Sequence, residues 1–270
     1  MIRHFVLTVA ATATITAASA SPDRVRLLEG SNAAALTQEE RNEVVTGYLA
    51  KGSVDVAAVL QPPPAIDSPA DKADVGFFHE LADHVSAERW TRAVADDASV
   101  YDRFEKQLGF TVDRRRMPRF VRLLNRAAED VFAATANAKE RYSRPRPFQR
   151  LPVRRVCGQS SAPKPEANPT KGTSYPSGHA AVSWASALIM VEASPQSAQA
   201  IVARAVDYGY SRVVCNVHFP ADVQAGQVLA TAVVDKLFAN AEFRRDFMCA
   251  KKELQSVAAG MRAEDLPACQ

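Results

Sequence analysis

Apolar residues recur every three or four positions along most of the chain after residue 68, which is the spacing of amphipathic helices. The clearest segment is 118–142, where Leu124, Ala128 and Val131 fall on one side and Arg122 on the other. The same pattern predicts further helices at about residues 71–94, 97–108, 179–191, 195–210, 220–237 and 242–258. No stretch alternates as a strand would. We therefore expect an all-α fold, a helical bundle in a single domain.

Two stretches interrupt this helical pattern. Residues 60–67, L-Q-P-P-P-A-I-D, contain three consecutive prolines, which exclude a helix and favour an extended segment. Residues 143–175 are rich in Pro, Ser, Lys and Gly, the composition of a loop. We expect the first stretch to be a stiff connector and the second to be a loop between two helices.

The first twenty residues differ in composition from the rest. A short basic start, M-I-R-H, precedes small and apolar residues that end in the small-x-small triplet Ala18-Ser19-Ala20. This pattern predicts a cleaved signal peptide over residues 1–20 and one domain over residues 21–270. The protein would then be periplasmic or secreted. Because the apolar run is short for a bilayer span and no later run is long enough, no stable membrane insertion is expected.

Charge and cysteine usage narrow the class of protein. The chain has 33 basic and 30 acidic residues, and this near balance favours neither nucleic-acid binding nor a basic membrane surface. None of the four cysteines belongs to a C-x-x-C pair, so a zinc ribbon is not indicated. An even number of cysteines in an exported protein favours two disulfides, for which three connectivities exist. The cysteines are Cys157, Cys215, Cys249 and Cys269.

Two short blocks carry residue types that suit phosphate binding. Lys139 should lie in the last turn of its helix, and Arg146 is held between two prolines that keep its backbone extended and would aim its guanidinium. Ser177, Gly178 and His179 lie where loop becomes helix, so unpaired amides and the helix dipole would form an anion site there. Taken alone, Lys139 and Arg146 would be better explained as solvated side chains, and Ser177 could be the cap of an ordinary helix start with His179 exposed.

A third block suits a nucleophilic histidine. Asp222 follows His218 by four residues and lies just after Pro220, where its carboxylate could accept the Nδ1 proton of the imidazole. That bond would leave Nε2 free to attack a phosphorus atom. Arg212 would add positive charge beside the phosphoryl oxygens. The alternatives are a loop histidine and an aspartate that only stabilises a helix N-terminus.

Written together, the blocks read K-x6-R-P, P-S-G-H and S-R-x5-H-x3-D, eleven fixed residues in order. This pattern resembles the type 2 phosphatidic acid phosphatase superfamily, which includes the bacterial class A non-specific acid phosphatases and the vanadium haloperoxidases. The proline run and the segment T-S-Y-P-S-G-H-A are similar to class A, where G-S-Y-P-S-G-H-T is usual. The resemblance implies an all-α acid phosphatase that hydrolyses phosphate monoesters without a metal or other cofactor.

The resemblance also implies roles for the matching residues. His218 would be the nucleophile that forms a phosphohistidine, Asp222 would orient it, and His179 would act on the leaving group. Phosphate would be bound by Lys139, Arg146, Ser177, Gly178 and Arg212. If the blocks converge on one pocket, two cysteines near them in the chain are brought together. We therefore predict the disulfides Cys157–Cys215 and Cys249–Cys269.

Other charged residues are assigned no chemistry. His79 and His84 are five residues apart, whereas the two histidines of a helical zinc motif are four apart, so we expect surface or interface residues and no metal site. Arg141 and Arg144 are likewise expected to be surface charges.

Two other functions are weighed against the phosphatase. A vanadium haloperoxidase would use the same pocket, but such enzymes are usually much longer. A non-catalytic phosphate-binding protein would have no need of His179, His218 and Asp222. The sequence does not identify the preferred monoester, and it leaves open whether the protein is a monomer or a homo-oligomer.

Overall fold

The computed structural model describes residues 45–96, 101–112, 115–157, 173–261 and 269, and the expected signal peptide lies outside these residues. The described part of the chain is helical and contains no sheet. Its one β feature is an isolated antiparallel bridge between Pro145 and Thr173. The all-α prediction is therefore confirmed.

The described residues form ten α-helices and two short 3₁₀ helices. The α-helices are α1 (Val56–Val59), α2 (Pro69–His84), α3 (Ala87–Ala95), α4 (Glu105–Leu108), α5 (Pro118–Arg141), α6 (Pro147–Arg150), α7 (Gly178–Ala193), α8 (Ala198–Val214), α9 (Pro220–Ala239) and α10 (Ala241–Ala258). The 3₁₀ helices are Tyr101–Phe104 and Pro195–Ser197.

Helix starts follow the local sequence. Proline occupies the first turn of α2, α5 and α9, where no backbone donor is needed. The single helix expected over 71–94 is instead two helices, because the Ser86 hydroxyl accepts the Arg89 amide at 3.0 Å and begins α3. Of the helix expected over 97–108, residues 97–100 lie outside the described part of the chain, and residues 101–108 form a 3₁₀ turn followed directly by α4.

Helix α7 forms the centre of the bundle. It packs against α5, α8 and α9, and its buried residues lie all around the helix rather than on one face. Its small side chains, such as Ala181 and Ala185, let these neighbours approach closely. The N-terminal end of α7 carries the P-S-G-H block, so this packing fixes the position of that block.

Gly226 allows α9 to approach the start of α7. A Cβ atom at this position would lie 2.5 Å from the carbonyl oxygen of Ser177 and 3.3 Å from the amide nitrogen of Ala181. No side chain fits at the first of these distances, so only glycine is compatible with this contact.

Two disulfides are present, and both are the expected pairs. The Cα atoms of Cys157 and Cys215 are 4.9 Å apart, and those of Cys249 and Cys269 are 5.6 Å apart. The first disulfide ties the segment after α6 to the end of α8, three residues before His218. Within the described residues, every helix is either too short or too polar to cross a bilayer.

Candidate active site

The first block reaches the site from the end of α5 and the segment that follows it. Lys139 lies in the last turn of α5, and its Nζ donates to the Thr173 carbonyl oxygen at 2.7 Å. Arg146 has the extended backbone expected between two prolines, with φ −72° and ψ 158°. Its Nη1 donates to the Val217 carbonyl oxygen at 3.0 Å and lies 3.3 Å from His218 Nε2. Lys139 therefore meets the segment that leads into the second block, and Arg146 meets residues of the third block.

The second block forms the N-terminus of α7. Ser177 is the N-cap, and its hydroxyl accepts the Ala180 amide at 3.3 Å. A Cβ atom on Gly178 would meet only Thr135, at an ordinary contact distance of 3.5 Å, so the protein's own packing does not require glycine there. Glycine instead leaves the first amides of α7 open to an incoming anion. His179 lies half-buried in the same turn.

The third block is joined to the second through the main chain. The Ser177 amide donates to the Asp222 carbonyl oxygen at 2.9 Å, so one residue of α9 holds the loop that begins α7. Arg212, in the last turn of α8, is buried, as are His218 and Asp222. The structure thus brings together all eight predicted catalytic and phosphate-binding residues at one end of the bundle.

His218 does not contact Asp222 in the simple way that the sequence suggests. Its Nδ1 lies 3.8 Å from Asp222 Oδ2, beyond hydrogen-bond distance. The Ser174 hydroxyl lies between them, 3.4 Å from Nδ1 and 2.5 Å from Oδ2. The Phe219 amide also donates to Oδ2, at 2.7 Å. Oδ2 of Asp222 is therefore fixed by the Ser174 hydroxyl and the Phe219 amide rather than by the histidine.

Arg144 is the principal residue that sequence reasoning missed. The prediction of a surface charge is wrong, because the side chain is buried and its Nη1 donates to Asp222 Oδ1 at 2.7 Å. Its Nη2 donates to Asp71 and Asp74 at 3.1 Å and 2.8 Å. Arg141, by contrast, is exposed as expected. One signal was present in the sequence: residues two apart in an extended segment face the same side, so Arg144 should have accompanied Arg146 inward.

The electrostatics of the site reflect closely spaced cations. Burial and Arg146 lower the pKa of Lys139 to about 7, although Asp222 opposes this. Burial, Arg146 and Lys139 likewise lower the pKa of His218 to about 3. Burial lowers the pKa of His179 well below its ordinary value, and the positive charge of Arg212 adds to this effect. His218, Arg146 and Lys139 lower it further, each by less. The site therefore favours any group that brings negative charge.

Asp222 is the carboxylate of this site, and it remains ionised. Burial raises its pKa, but His218, Arg144 and Ser174 lower it to about 2. The described residues contain no group of three or more His, Cys, Asp or Glu side chains placed to hold a metal ion. His79 and His84 are exposed, as the sequence suggested. A pocket of three cations, helix amides and an unprotonated imidazole suits a phosphoryl group.

Comparisons with known proteins identify the family of this chain. Residues 124–245 match the model of the PAP2 superfamily. A non-specific acid phosphatase from Providencia stuartii is 33% identical over 222 residues, which are 78% of this chain and 88% of that protein. An acid phosphatase from Zymomonas mobilis is 32% identical over 220 residues, 80% of this chain and 81% of its own. A non-specific acid phosphatase from Salmonella typhimurium is 32% identical over 222 residues, with 80% and 86% covered.

Proposed function

The chain belongs to the PAP2 superfamily, together with these acid phosphatases, and we propose that it hydrolyses phosphate monoesters through a phosphohistidine at His218, without a metal ion. The observation that carries this proposal is the meeting of three distant blocks around one imidazole. Arg146 lies 3.3 Å from His218 Nε2, and Arg212 and Lys139 both lie close enough to depress the pKa of His179. Such a grouping would most strongly stabilise a ligand with several negative charges.

The phosphoryl group would be held by charge and by amides. Lys139, Arg146 and Arg212 would neutralise its oxygens, which makes the phosphorus easier to attack. The amides at the start of α7, next to Ser177 and Gly178, would donate to the same oxygens. Because these groups are already fixed by the bundle, little reorganisation is needed when the substrate binds.

The first chemical step would form a P–N bond and break a P–O bond. His218 Nε2 would attack the phosphorus, and the leaving oxygen would take a proton from His179. In the second step, water would attack the phosphorus of the phosphohistidine and give a proton to His179, and the P–N bond would break. The proton on His218 Nδ1 stays in place throughout, and inorganic phosphate leaves.

His179 must be protonated for the first step, yet its pKa is low in the site without substrate. Bound phosphate supplies negative charge beside the imidazole and so raises that pKa. Substrate binding would therefore protonate the histidine that acts as the acid.

The signal peptide expected over residues 1–20 would place this activity in the periplasm or outside the cell. N-terminal sequencing of the mature protein checks this cleavage.

The decisive experiment traps the intermediate. Turnover of a chromogenic phosphomonoester in EDTA is quenched rapidly without acid, because a phosphoramidate is acid-labile, and the protein is mapped by mass spectrometry. We expect phosphate on His218 and none in His218→Ala, whose turnover should be lost while phosphate binding largely survives. His84→Ala, which changes an exposed histidine, is the matched control and should behave as wild type. Phosphate on another residue, or loss of activity in EDTA that a divalent metal restores, would refute the proposal.

A further inference from the structure

We propose that Ser174 is a positioning residue that links His218 to Asp222, so that the histidine is oriented through a hydroxyl rather than by the carboxylate directly. This inference rests on the proposed role of His218 as nucleophile. Ser174 lies outside the three sequence blocks, and its hydroxyl is fully buried between the two side chains.

The tautomer of His218 follows from its neighbours. Arg146 Nη1 lies 3.3 Å from Nε2, and a guanidinium can only donate, so Nε2 must be the acceptor nitrogen. A neutral imidazole then carries its proton on Nδ1. That N–H points toward Ser174 Oγ at 3.4 Å, while the nearest Asp222 oxygen is at 3.8 Å.

The hydroxyl can serve both partners at once. Its one hydrogen goes to Asp222 Oδ2 at 2.5 Å, because an ionised carboxylate can only accept. Its lone pairs then remain for the Nδ1–H of His218. The chain of contacts runs from imidazole to hydroxyl to carboxylate, and each group has a definite role in it.

Two paired segments hold this chain of contacts in place. The Ser174 amide donates to the Arg144 carbonyl oxygen at 2.7 Å, next to the bridge between Pro145 and Thr173. The same segments therefore present the Arg144 guanidinium to Oδ1 and the Ser174 hydroxyl to Oδ2 of Asp222. Because both oxygens are bound, the carboxylate cannot rotate toward the imidazole, and Ser174 remains the nearer acceptor.

The link acts when the ring becomes charged. As Nε2 attacks phosphorus, positive charge spreads over the imidazole and strengthens the bond from Nδ1–H. The hydroxyl, polarised by Asp222, would be a better acceptor than an isolated serine. The contribution should therefore be felt in the chemical step and little in substrate binding.

The test is a double-mutant cycle. In Ser174→Ala, kcat for a phosphomonoester should fall about 10- to 100-fold, while KM and the dissociation constant of phosphate change little. In Asp222→Asn, adding Ser174→Ala should lower kcat much less than it does in the wild type, because the two residues act through one chain. Ser183→Ala is the matched control: Ser183 is a fully buried serine whose hydroxyl has no partner among the described residues.

Several results would overturn the link. They are a kcat for Ser174→Ala within about twofold of wild type, independent effects of the two substitutions, or a change confined to KM. If Ser174→Ala does not fold, Ser174→Cys keeps the side-chain volume and replaces the hydroxyl by a weak donor, and it should show the same losses. Trapping the phosphohistidine in the wild type separates the two proposals. If it is absent, the proposed function fails; if it is present and Ser174→Ala is normal, only the link fails.

Discussion

Arg144 and Arg146 are two residues apart in one extended segment. The guanidinium of Arg144 contacts Asp222 and that of Arg146 contacts His218, but the other neighbours of the two side chains differ. Arg144 contacts three carboxylates, those of Asp71, Asp74 and Asp222. Arg146 donates to a main-chain carbonyl and faces the imidazole of His218. Arg144 thus lies in a cluster where carboxylates outnumber arginines, whereas Arg146 contributes to a surplus of positive charge.

The pKa values of Arg144 and of Lys139, which lies beside Arg146, reflect this difference in surroundings. Burial by itself lowers the pKa of Arg144, but Asp222 and Asp74 more than offset this and raise it above its ordinary value. Burial also lowers the pKa of Lys139, and there Arg146 adds to the effect. The effect of desolvation is therefore offset at Arg144 by carboxylates and reinforced at Lys139 by a neighbouring cation. The first cluster should stabilise the fold, and the second should bind an anion at some expense of stability.

The largest effect is expected from Arg144→Met. It would remove the cation shared by three buried carboxylates, of which Asp71 keeps Arg150 as a partner while Asp74 and Asp222 lose their only arginine contact in the described part of the chain. The free energy of unfolding should therefore fall by about 3–5 kcal/mol. Urea unfolding followed by circular dichroism measures this. Arg141→Met, at an exposed arginine three positions earlier, should change it by less than about 0.5 kcal/mol. Equal stabilities for the two variants would show that the Arg144 cluster does not support the fold.

Lys139→Met should lower activity without lowering stability. Loss of one cation from the phosphate site should lower kcat/KM by about 10²–10³-fold, as removal of one transition-state donor does in other enzymes. Stability should be equal to or higher than that of the wild type, because a repelled ammonium group is removed. Lys236→Met, at an exposed lysine in the last turn of α9, is the control and should leave both quantities unchanged. A clear loss of stability in Lys139→Met would show that Lys139 supports the fold as Arg144 does.

The smallest effect concerns anion binding and pH. Sulfate, which does not titrate between pH 5 and 9, should raise the depressed pKa values of Lys139 and His179 when it binds. Binding then takes up protons, so the affinity should rise as pH falls, by at most about tenfold per pH unit for each proton. Isothermal titration calorimetry measures the dissociation constant. In Lys139→Met, whose wild-type lysine titrates at about 7, the slope above neutral pH should flatten. A dissociation constant that does not change with pH would show that sulfate binding does not raise these pKa values.

The long helices could be predicted because their signals are local. α5 and α9 begin at prolines, and their apolar residues recur at helical intervals over many turns. The break between α2 and α3 could not be predicted in this way. Ser86 resembles many serines inside helices, and only the bond of its hydroxyl to the Arg89 amide makes it a cap.

The candidate site could be predicted in part for the same reason. Residues of the three blocks have short, fixed spacings, so the sequence pattern finds them. Arg144 and Ser174 are important because of partners far along the chain: Arg144 meets Asp222 at a separation of 78 residues, and Ser174 meets it at 48. The alternation of an extended segment could place Arg144 on the same side as Arg146, but no local periodicity identifies the partners of Arg144 or Ser174, since those depend on how the helices pack.

The contact between Gly226 and Ser177 has a consequence for how such proteins can be recognised. Gly226 has no side chain and takes no part in the chemistry, yet it sets the distance at which α9 meets the start of α7. It follows Asp222 at the same interval at which Asp222 follows His218. The third block is thus more completely written S-R-x5-H-x3-D-x3-G. In divergent relatives that keep this contact, selection should preserve the glycine as strictly as the histidine, because any side chain at position 226 would push α9 away from the start of α7.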